Sequence, residues 1–232
     1  MFPIRINKFL SEANYCSRRE ADRLISAKKV KINDQIASLG DKVEKNDQVF
    51  VEGLEIRLTT AEKIYLVFHK PVGIICTSAK VKDNIIDYIN YPERIYAVGR
   101  LDVASSGLIL LTNDGELANK ILKAQSKIEK EYLVTVSRKL TRQFLENLRR
   151  GVVIDHYKTL PAKVSRISDK IFSIAIVEGK NRQIRKMCQR FGYDVLKLKR
   201  IRIGSLNLNK LKEGQYIKIS VSKIKQLLIS NF

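Results

Sequence analysis

Cysteine and histidine are scarce in this chain, and tryptophan is absent: its 232 residues include three cysteines and two histidines. The cysteines, Cys16, Cys76 and Cys188, stand far apart, without a Cys-x-x-Cys pair. They are too few for a disulfide framework and wrongly spaced for zinc, so we expect buried thiols. His69 ends an apolar run and His156 lies in a polar segment, so both are predicted to be structural rather than acid–base catalysts.

Long apolar runs are also missing. The longest, residues 107–111 and 72–76, are far shorter than the roughly 18 residues that a transmembrane helix requires. The first eight residues lack the apolar core of a signal peptide. The sequence contains neither a phosphate-cradling Gly-x-Gly loop nor a metal-ligating cluster. We therefore expect a cytoplasmic protein without membrane spans, metal or small-molecule cofactor.

Acidic residues are outnumbered by basic ones. The chain has 44 lysines and arginines against 24 aspartates and glutamates, a net charge of +20 at pH 7. Residues 1–60 contribute only +2 of this excess, and residues 61–232 contribute +18. The segment from Lys180 to Arg202 alone carries nine basic residues and one acid, Asp194. This charge predicts a nucleic-acid partner, and the dense segment predicts a phosphate-binding face.

The first 60 residues have the pattern of a small separate domain. One face of a first predicted helix carries Ile6, Phe9, Leu10 and Ala13. A second helix is predicted after Ser17, where Glu20 at the third position completes a capping box. Beyond residue 29 the apolar period changes to two, which predicts short strands.

These segments resemble the αL-type RNA-binding domain first known from a small-subunit ribosomal protein. The matching segments are Arg-Ile-Asn-Lys-Phe-Leu at 5–10, Cys-Ser-Arg-Arg-Glu-Ala-Asp-Arg-Leu-Ile at 16–25 and Val-Lys-Ile-Asn-Asp at 30–34. The chain departs from the pattern at 27–29, where it has Ala-Lys-Lys and the family usually has glycine. The alternative is two helices with incidental charge. The residues that the resemblance implies for RNA binding are Arg5, Lys8, Arg18, Arg19 and Arg23.

Residues 61–232 are predicted to form a larger domain, after a linker over residues 54–63. Strand-like and helical segments alternate in mixed order, which indicates an α+β fold on an antiparallel or mixed sheet. The predicted strands are 64–69, 95–98, 108–111, 132–136, 171–177 and 195–198. The predicted helices are 84–89, 116–122, 142–148 and 181–191.

Asp102 is the most informative acid of the larger domain. It follows Gly99-Arg100-Leu101 in a short loop between two predicted strands, and Gly107 lies five residues beyond it. An acid in such a loop, beside an arginine and several backbone amides, is a candidate for chemistry. The alternative is a satisfied charge pair in an ordinary turn.

Three further segments accompany the Asp102 loop. They are Lys-Pro-Val-Gly at 70–73, Glu-Lys-Glu-Tyr at 129–132 and Asn-Arg-Gln-Ile-Arg-Lys-Met at 181–187. In the last segment, Arg182, Arg185 and Gln189 share one face of a predicted helix. Taken in order, the four segments resemble the RsuA family of RNA pseudouridine synthases over nearly the whole chain. Asp-Asn-Ile at 83–85 and Ser105 are most similar to the F-type large-subunit synthases of that family.

The resemblance implies isomerisation of uridine to pseudouridine in RNA, without metal or cosubstrate. Asp102 is then the essential carboxylate, which either attacks the anomeric carbon or otherwise assists departure of the uracil. Arg185 is implied to pair with this acid and keep it ionised, and Tyr132 to lie against the base. Basic side chains are expected to hold the RNA while the uridine is flipped out. They are Arg100, Lys180, Arg182, Arg200 and Arg202.

The F-type resemblance also implies a substrate in large-subunit ribosomal RNA, a tRNA anticodon loop as a possible second substrate, and a monomer. Two other interpretations account for less of the sequence. A non-catalytic RNA-binding or ribosome-assembly protein would explain the charge but not Asp102, Tyr132 and Arg185 together. A methyltransferase or an aminoacyl-tRNA synthetase would need a Gly-rich cofactor loop or a histidine-bearing nucleotide motif, which the sequence lacks.

Overall fold

The computed structural model describes residues 2–58, 62–77, 79, 81–122 and 127–229. The chain divides into two units, Met1–Glu62 and Lys63–Phe232. The predicted domain boundary between residues 60 and 61 lies outside the described residues. No helix in the described ranges is long and apolar enough to cross a membrane.

The N-terminal unit consists of two helices followed by short strands, as predicted. Its elements are β1 (Ile4–Arg5), α1 (Ile6–Glu12), α2 (Arg18–Ser26), β2 (Val30–Ile32), β3 (Gln35–Ile36), β4 (Lys42–Val43), β5 (Val49–Val51) and β6 (Leu54–Ile56). An antiparallel sheet has the order β3-β2-β5-β6, and β1 pairs with β4. The helices and strands share one core, in which Leu10, Val30 and Val49 are fully buried. The Ser17 hydroxyl accepts a hydrogen bond from the Glu20 amide at 3.1 Å, which confirms the predicted N-cap.

The C-terminal unit is built on one large mixed sheet. Its elements are β7 (Tyr65–Lys70), α3 (Ile85–Ile89), β8 (Tyr96–Val98), β9 (Ser106–Thr112), α4 (Gly115–Leu122), β10 (Lys130–Val136), α5 (Arg142–Arg150), β11 (Val153–Ile154), β12 (Tyr157–Lys158), β13 (Lys163–Arg166), β14 (Ile171–Ile176), α6 (Gln183–Gln189), β15 (Val195–Ile203), β16 (Leu206–Asn207), β17 (Tyr216–Lys218) and α7 (Val221–Ile229). The main path of the sheet is β13-β14-β10-β15-β9-β7-β17, with β16 beside β15 and β8 beside β9. Strand β15 runs parallel to β9, and the other described pairs of this sheet are antiparallel. The predicted α+β class with a mixed sheet is confirmed.

Strands β7 and β9 form the buried centre of this sheet. They pair antiparallel, with Phe68 opposite Ile109. Alternate residues of β7 enter hydrophobic clusters on opposite faces: Leu66 and Phe68 belong to one cluster, Tyr65 and Val67 to the other. Because both faces are covered, the central residues 65–68 and 108–111 of these strands form continuous apolar runs instead of alternating with polar residues.

Three predicted boundaries were wrong. The linker predicted over residues 54–63 begins with a strand, since Leu54–Ile56 is β6. Strand β15 continues to Ile203, five residues beyond the predicted end. The helix predicted over 181–191 is only Gln183–Gln189, because Arg182 has a left-handed backbone (φ +50°) that interrupts helical geometry before it.

Gly107 allows β9 and β15 to approach each other. It lies opposite Arg200 in their parallel pairing and has φ +114°. A Cβ atom at this position would lie 2.2 Å from the Arg200 carbonyl oxygen and 2.5 Å from its nitrogen. Both atoms belong to the backbone and cannot swing aside, so only glycine fits here.

We expect Gly107→Ala to lower the free energy of unfolding by about 3 kcal/mol or more, because the backbone strain at positive φ and the steric overlap both destabilise the folded state. Urea denaturation followed by circular dichroism measures this loss. Gly179→Ala is the matched control, since a Cβ there meets no described heavy atom within 4 Å. Equal stabilities of the two variants would contradict the close strand approach.

Candidate active site

The loop that carries Asp102 joins β8 to β9 and is held by backbone contacts. The Gly73 amide donates to the Val103 carbonyl at 2.9 Å, which ties the loop to the Lys-Pro-Val-Gly turn. The Leu101 amide donates to the buried sulfur of Cys76 at 3.4 Å. The Asp102 side chain remains 31 % exposed. The loop therefore fixes the acid while leaving its carboxylate accessible.

Arg185 lies behind this carboxylate. Its Nη1 donates to the Val195 carbonyl at 2.9 Å and its Nη2 to the Ala104 carbonyl at 2.8 Å. Its Nε lies 3.7 Å from Asp102 Oδ2 and donates no hydrogen bond to the residues described. Burial lowers the pKa of Arg185 and Arg182 adds to this, while Asp102 opposes it. Arginine stays protonated in proteins, so Arg185 keeps a positive charge beside Asp102.

Lys70 is a fully buried lysine at the end of β7, next to the Asp102 loop. Its Nζ donates to the carbonyls of Pro71 and Ile74, both at 2.8 Å. Burial lowers the pKa of Lys70, while Cys76 and then Asp102 act in the opposite direction. The sequence identified this segment only as a turn. The side chain holds that turn together, and its charge interacts with that of Asp102.

Asp102 and Tyr132 line the same cleft, which has a volume of about 480 Å³. Tyr132 lies on β10 and is 8 % exposed. Arg185 is not part of the lining but contacts Asp102 from behind. Apolar side chains make up much of the cleft wall; they include Val98, Leu101, Ile176, Leu198 and Ile203. The structure thus gathers the three predicted catalytic residues at one cleft that has room for a nucleobase.

Four of the predicted RNA-binding cations line this cleft: Arg100, Lys180, Arg182 and Arg200. Arg182 is 52 % exposed and its Nη1 lies 4.0 Å from Asp102 Oδ2. The Lys180 ammonium lies 3.3 Å from the ring centroid of Tyr157, a cation–π contact. Exposed cations therefore border a cleft that contains the candidate acid.

Arg202, the fifth predicted cation, is instead held by acidic side chains and is 25 % exposed. It donates to Glu131 at 2.8 Å and to Glu129 at 3.0 Å, and its Nη1 donates to the Gly204 carbonyl at 2.9 Å. It does not line the cleft. Two carboxylates thus balance its charge, and its predicted phosphate contact stays a prediction.

In the N-terminal unit the predicted RNA-binding cations lie on and beside α1 and α2. Arg5, Arg18, Arg19 and Arg23 are exposed. Lys8 lies 3.3 Å from Glu12, and Arg23 donates to Glu20 at 3.1 Å. Pairs of this kind at a surface are weak, so they leave these cations available to an RNA phosphate.

Sequence reasoning missed Lys130 and Gln183. Lys130 lines the cleft, and its Nζ donates to the Val177 carbonyl at 3.1 Å. The signal was its position two residues before Tyr132, which places both on one face of a strand. Gln183 is buried and joins the Lys180 amide (3.1 Å) to Glu178 (2.6 Å). It fixes the loop that leads into α6, and no pattern in the sequence indicated that contact.

These features define the class of protein. A carboxylate with an arginine behind it, an apolar cleft large enough for a base, and a cationic rim are the parts of an enzyme that acts on a base within a nucleic acid. In the described part of the chain, no cluster of three or more His, Cys, Asp or Glu side chains could hold a metal ion.

Comparison with known proteins gives the family. The model for RNA pseudouridylate synthases matches residues 64–190, more than half of the chain, and the model for the S4 domain matches residues 4–49. The chain belongs to the RNA pseudouridylate synthase family, and its S4 domain makes it an RsuA-type member. It is an RNA pseudouridine synthase.

Individual relatives are similar over most of the chain. Dual-specificity RNA pseudouridine synthase RluF of Escherichia coli (strain K12) is 45% identical over 92% of this chain and 74% of its own. Ribosomal large subunit pseudouridine synthase B of Bacillus subtilis (strain 168) is 39% identical over 96% of this chain and 95% of its own. A crystal structure of a pseudouridylate synthase has a TM-score of 0.72 and 30% identity, covering 97% of this chain and 99% of the other. The predicted family and F-type likeness are confirmed.

We expect Asp102→Asn to lower the single-turnover rate by roughly 10³-fold or more while RNA affinity changes by less than about threefold, because the amide keeps the shape and loses the charge. Tritium release from RNA labelled at C5 of uracil measures the rate, and filter binding measures affinity. Asp155→Asn is the control: this exposed carboxylate pairs with Lys186 and does not line the cleft. Sustained turnover in Asp102→Asn would contradict the assignment.

Proposed function

We propose that this enzyme converts a uridine of large-subunit ribosomal RNA to pseudouridine and accepts a tRNA anticodon loop as a second substrate. The catalytic part of this proposal is supported by the Asp102–Arg185 pair at the basic cleft. The choice of RNA is supported by two relatives, one named for the large ribosomal subunit and one named as dual-specificity. Each match covers more than nine-tenths of this chain.

The reaction rearranges one nucleoside without any net oxidation or reduction. The C1′–N1 bond breaks, the uracil turns, and a C1′–C5 bond forms; C5 loses a proton and N1 gains one. Asp102 supplies the carboxylate, either as a nucleophile at C1′ or by assisting departure of the uracil. Arg185 places its positive charge 3.7 Å from that carboxylate. Tyr132 lies against the base.

The target uridine has to leave its stack to reach this cleft. Unstacking costs a few kcal/mol, which contacts to the rest of the RNA must offset. We assign this role to Arg100, Lys180 and Arg182, which line the cleft and are exposed. Phosphate contacts of this kind add affinity without reading the base.

The S4 domain provides a second RNA contact in this proposal. Its boundary with the catalytic domain is placed between residues 60 and 61, and the enzyme acts as a monomer in the cytoplasm. Two contacts on one RNA raise affinity by effective concentration, so the S4 domain adds binding rather than chemistry. Its contact residues are Arg5, Lys8, Arg18, Arg19 and Arg23.

Replacing the three exposed arginines of α2 with alanine (Arg18, Arg19 and Arg23) tests whether the S4 domain contributes to RNA binding and not to the chemical step. We expect the Kd for substrate RNA to rise about tenfold or more, and the slope of log K against log salt to fall by about two units. The single-turnover rate at saturating RNA stays within about threefold. A control variant replaces Lys29, Lys45 and Arg57, an equal number of cations in the same unit. A collapse of the saturated rate would contradict the proposal.

Mapping pseudouridines in cellular RNA tests the substrate. We expect RNA from cells lacking this gene to lose pseudouridine at one or a few large-subunit positions and in a tRNA anticodon loop. The wild-type gene restores these sites, and the Asp102→Asn gene, expressed at equal level, does not. Loss of a site in small-subunit ribosomal RNA alone would overturn the substrate assignment while leaving the activity intact.

A further inference from the structure

Arg200 is a buried arginine with an unused donor. It is 5 % exposed, and its Nε donates to the Leu108 carbonyl at 2.7 Å. Its Nη2 is buried and donates no hydrogen bond to any residue that the structure describes. An unpaired buried donor costs free energy, more so on a charged group, so such a group signals a missing acceptor.

Arg200 is one of the residues that line the cleft. On β15, Arg200 lies directly opposite Tyr132 of β10. Side chains opposite each other on antiparallel strands have Cβ atoms about 5 Å apart, so the two are immediate neighbours. Leu198, two residues before Arg200, also lines the cleft. Arg200 therefore lies beside the residue assigned to the target base, at a cleft with largely apolar walls.

Charge in this part of the cleft is unbalanced. Lys130 also lines it, and the pKa of Lys130 is lowered by burial and then by repulsion from Arg200. The carboxylates in the described lining are engaged elsewhere: Asp102 lies against arginines of the α6 region, and Glu178 accepts the Leu160 amide and Gln183. The buried Arg200 and the half-buried Lys130 thus favour a ligand that carries partial or full negative charge.

We propose that Arg200 Nη2 donates a hydrogen bond to a carbonyl oxygen of the flipped uracil. This rests on the proposed function, in which the cleft receives a uridine. A base fits the site better than a phosphate does. One free nitrogen matches one carbonyl oxygen, whereas a phosphate needs several donors, and the apolar wall suits a ring. The exposed cations of the rim are the ones placed for phosphates.

This contact also has a chemical use. When the C1′–N1 bond breaks, its electron pair goes to the uracil, and the resulting negative charge spreads over N1 and the two carbonyl oxygens. A buried, fixed cation stabilises that charge as it develops. It also keeps the detached ring in the cleft while it turns to present C5. C5 then bonds to C1′, the C5 proton leaves, and N1 is protonated.

Arg200→Met in the Asp102→Asn background tests this contact, because binding is then measured without turnover. Two RNAs are compared: one with the target uridine and one abasic at that nucleotide. We expect a loss of about tenfold in affinity for the uridine RNA and no loss for the abasic RNA. With Asp102 intact, Arg200→Met lowers the single-turnover rate about 100-fold. Equal losses on both RNAs would assign Arg200 to the RNA backbone, and no loss on either would remove it from the site; both overturn the proposal.

Two further variants keep the result interpretable. Arg149→Met is the control, since Arg149 is a half-buried arginine that donates to the Val164 carbonyl and does not line the cleft; it leaves both affinities unchanged. If Arg200→Met does not fold, Arg200→Lys is measured instead, and the same selective loss on uridine RNA supports the proposal while its absence overturns it. Pseudouridine formation by the wild-type enzyme on the same RNA is measured first, so a wrong RNA is distinguished from a wrong contact.

Discussion

The guanidinium of Arg185 is the contact on which the candidate site depends. It joins α6, the start of β15 and the Asp102 loop through two backbone carbonyls, and it presents Nε to the carboxylate at 3.7 Å. Loop residues lack the ladder bonds of a sheet, so their positions rest on contacts of this kind. One side chain therefore both places the acid and supplies its counter-charge. At 3.7 Å the Arg185 Nε still attracts the Asp102 carboxylate electrostatically but does not form a hydrogen bond to it.

A shift in strand register decides which arginine of β15 serves the cleft. Tyr132 lies opposite Arg200, but its neighbour Glu131 lies opposite Arg202, so one residue of β15 is extra at this point. An added residue reverses the alternation of side chains beyond it. Arg200 and Ile203 consequently both line the cleft, while Arg202 turns to Glu129 and Glu131.

This shift also marks how far the sequence could predict the site. Apolar periodicity and the Ser17 cap rest on local chemistry and predicted the helices and strands. Asp102 was singled out by its loop, whereas Tyr132 and Arg185 were implied by the resemblance to a known family. Arg200 and Arg202 were both predicted to hold the RNA, but the extra residue of β15 between them leaves only Arg200 in the cleft lining. A register shift and the partners of a buried lysine arise from long-range pairing, which a local pattern does not contain.

The cations near the cleft differ in solvent exposure, and the exposed ones have a different role from the less exposed ones. Exposed cations on the rim and on α2 attract any polyanion, and salt screens them over about 8–10 Å. They account for binding to RNA in general, and they do not distinguish one nucleotide from another in the cleft. Arg200 is buried and Lys130 is half-buried beside the apolar side chains of the cleft, where screening is weak and a wrong or missing acceptor is costly. Net charge, which is visible in the composition, therefore predicts the class of ligand, whereas recognition of the base depends on a few buried donors that contribute little to that total.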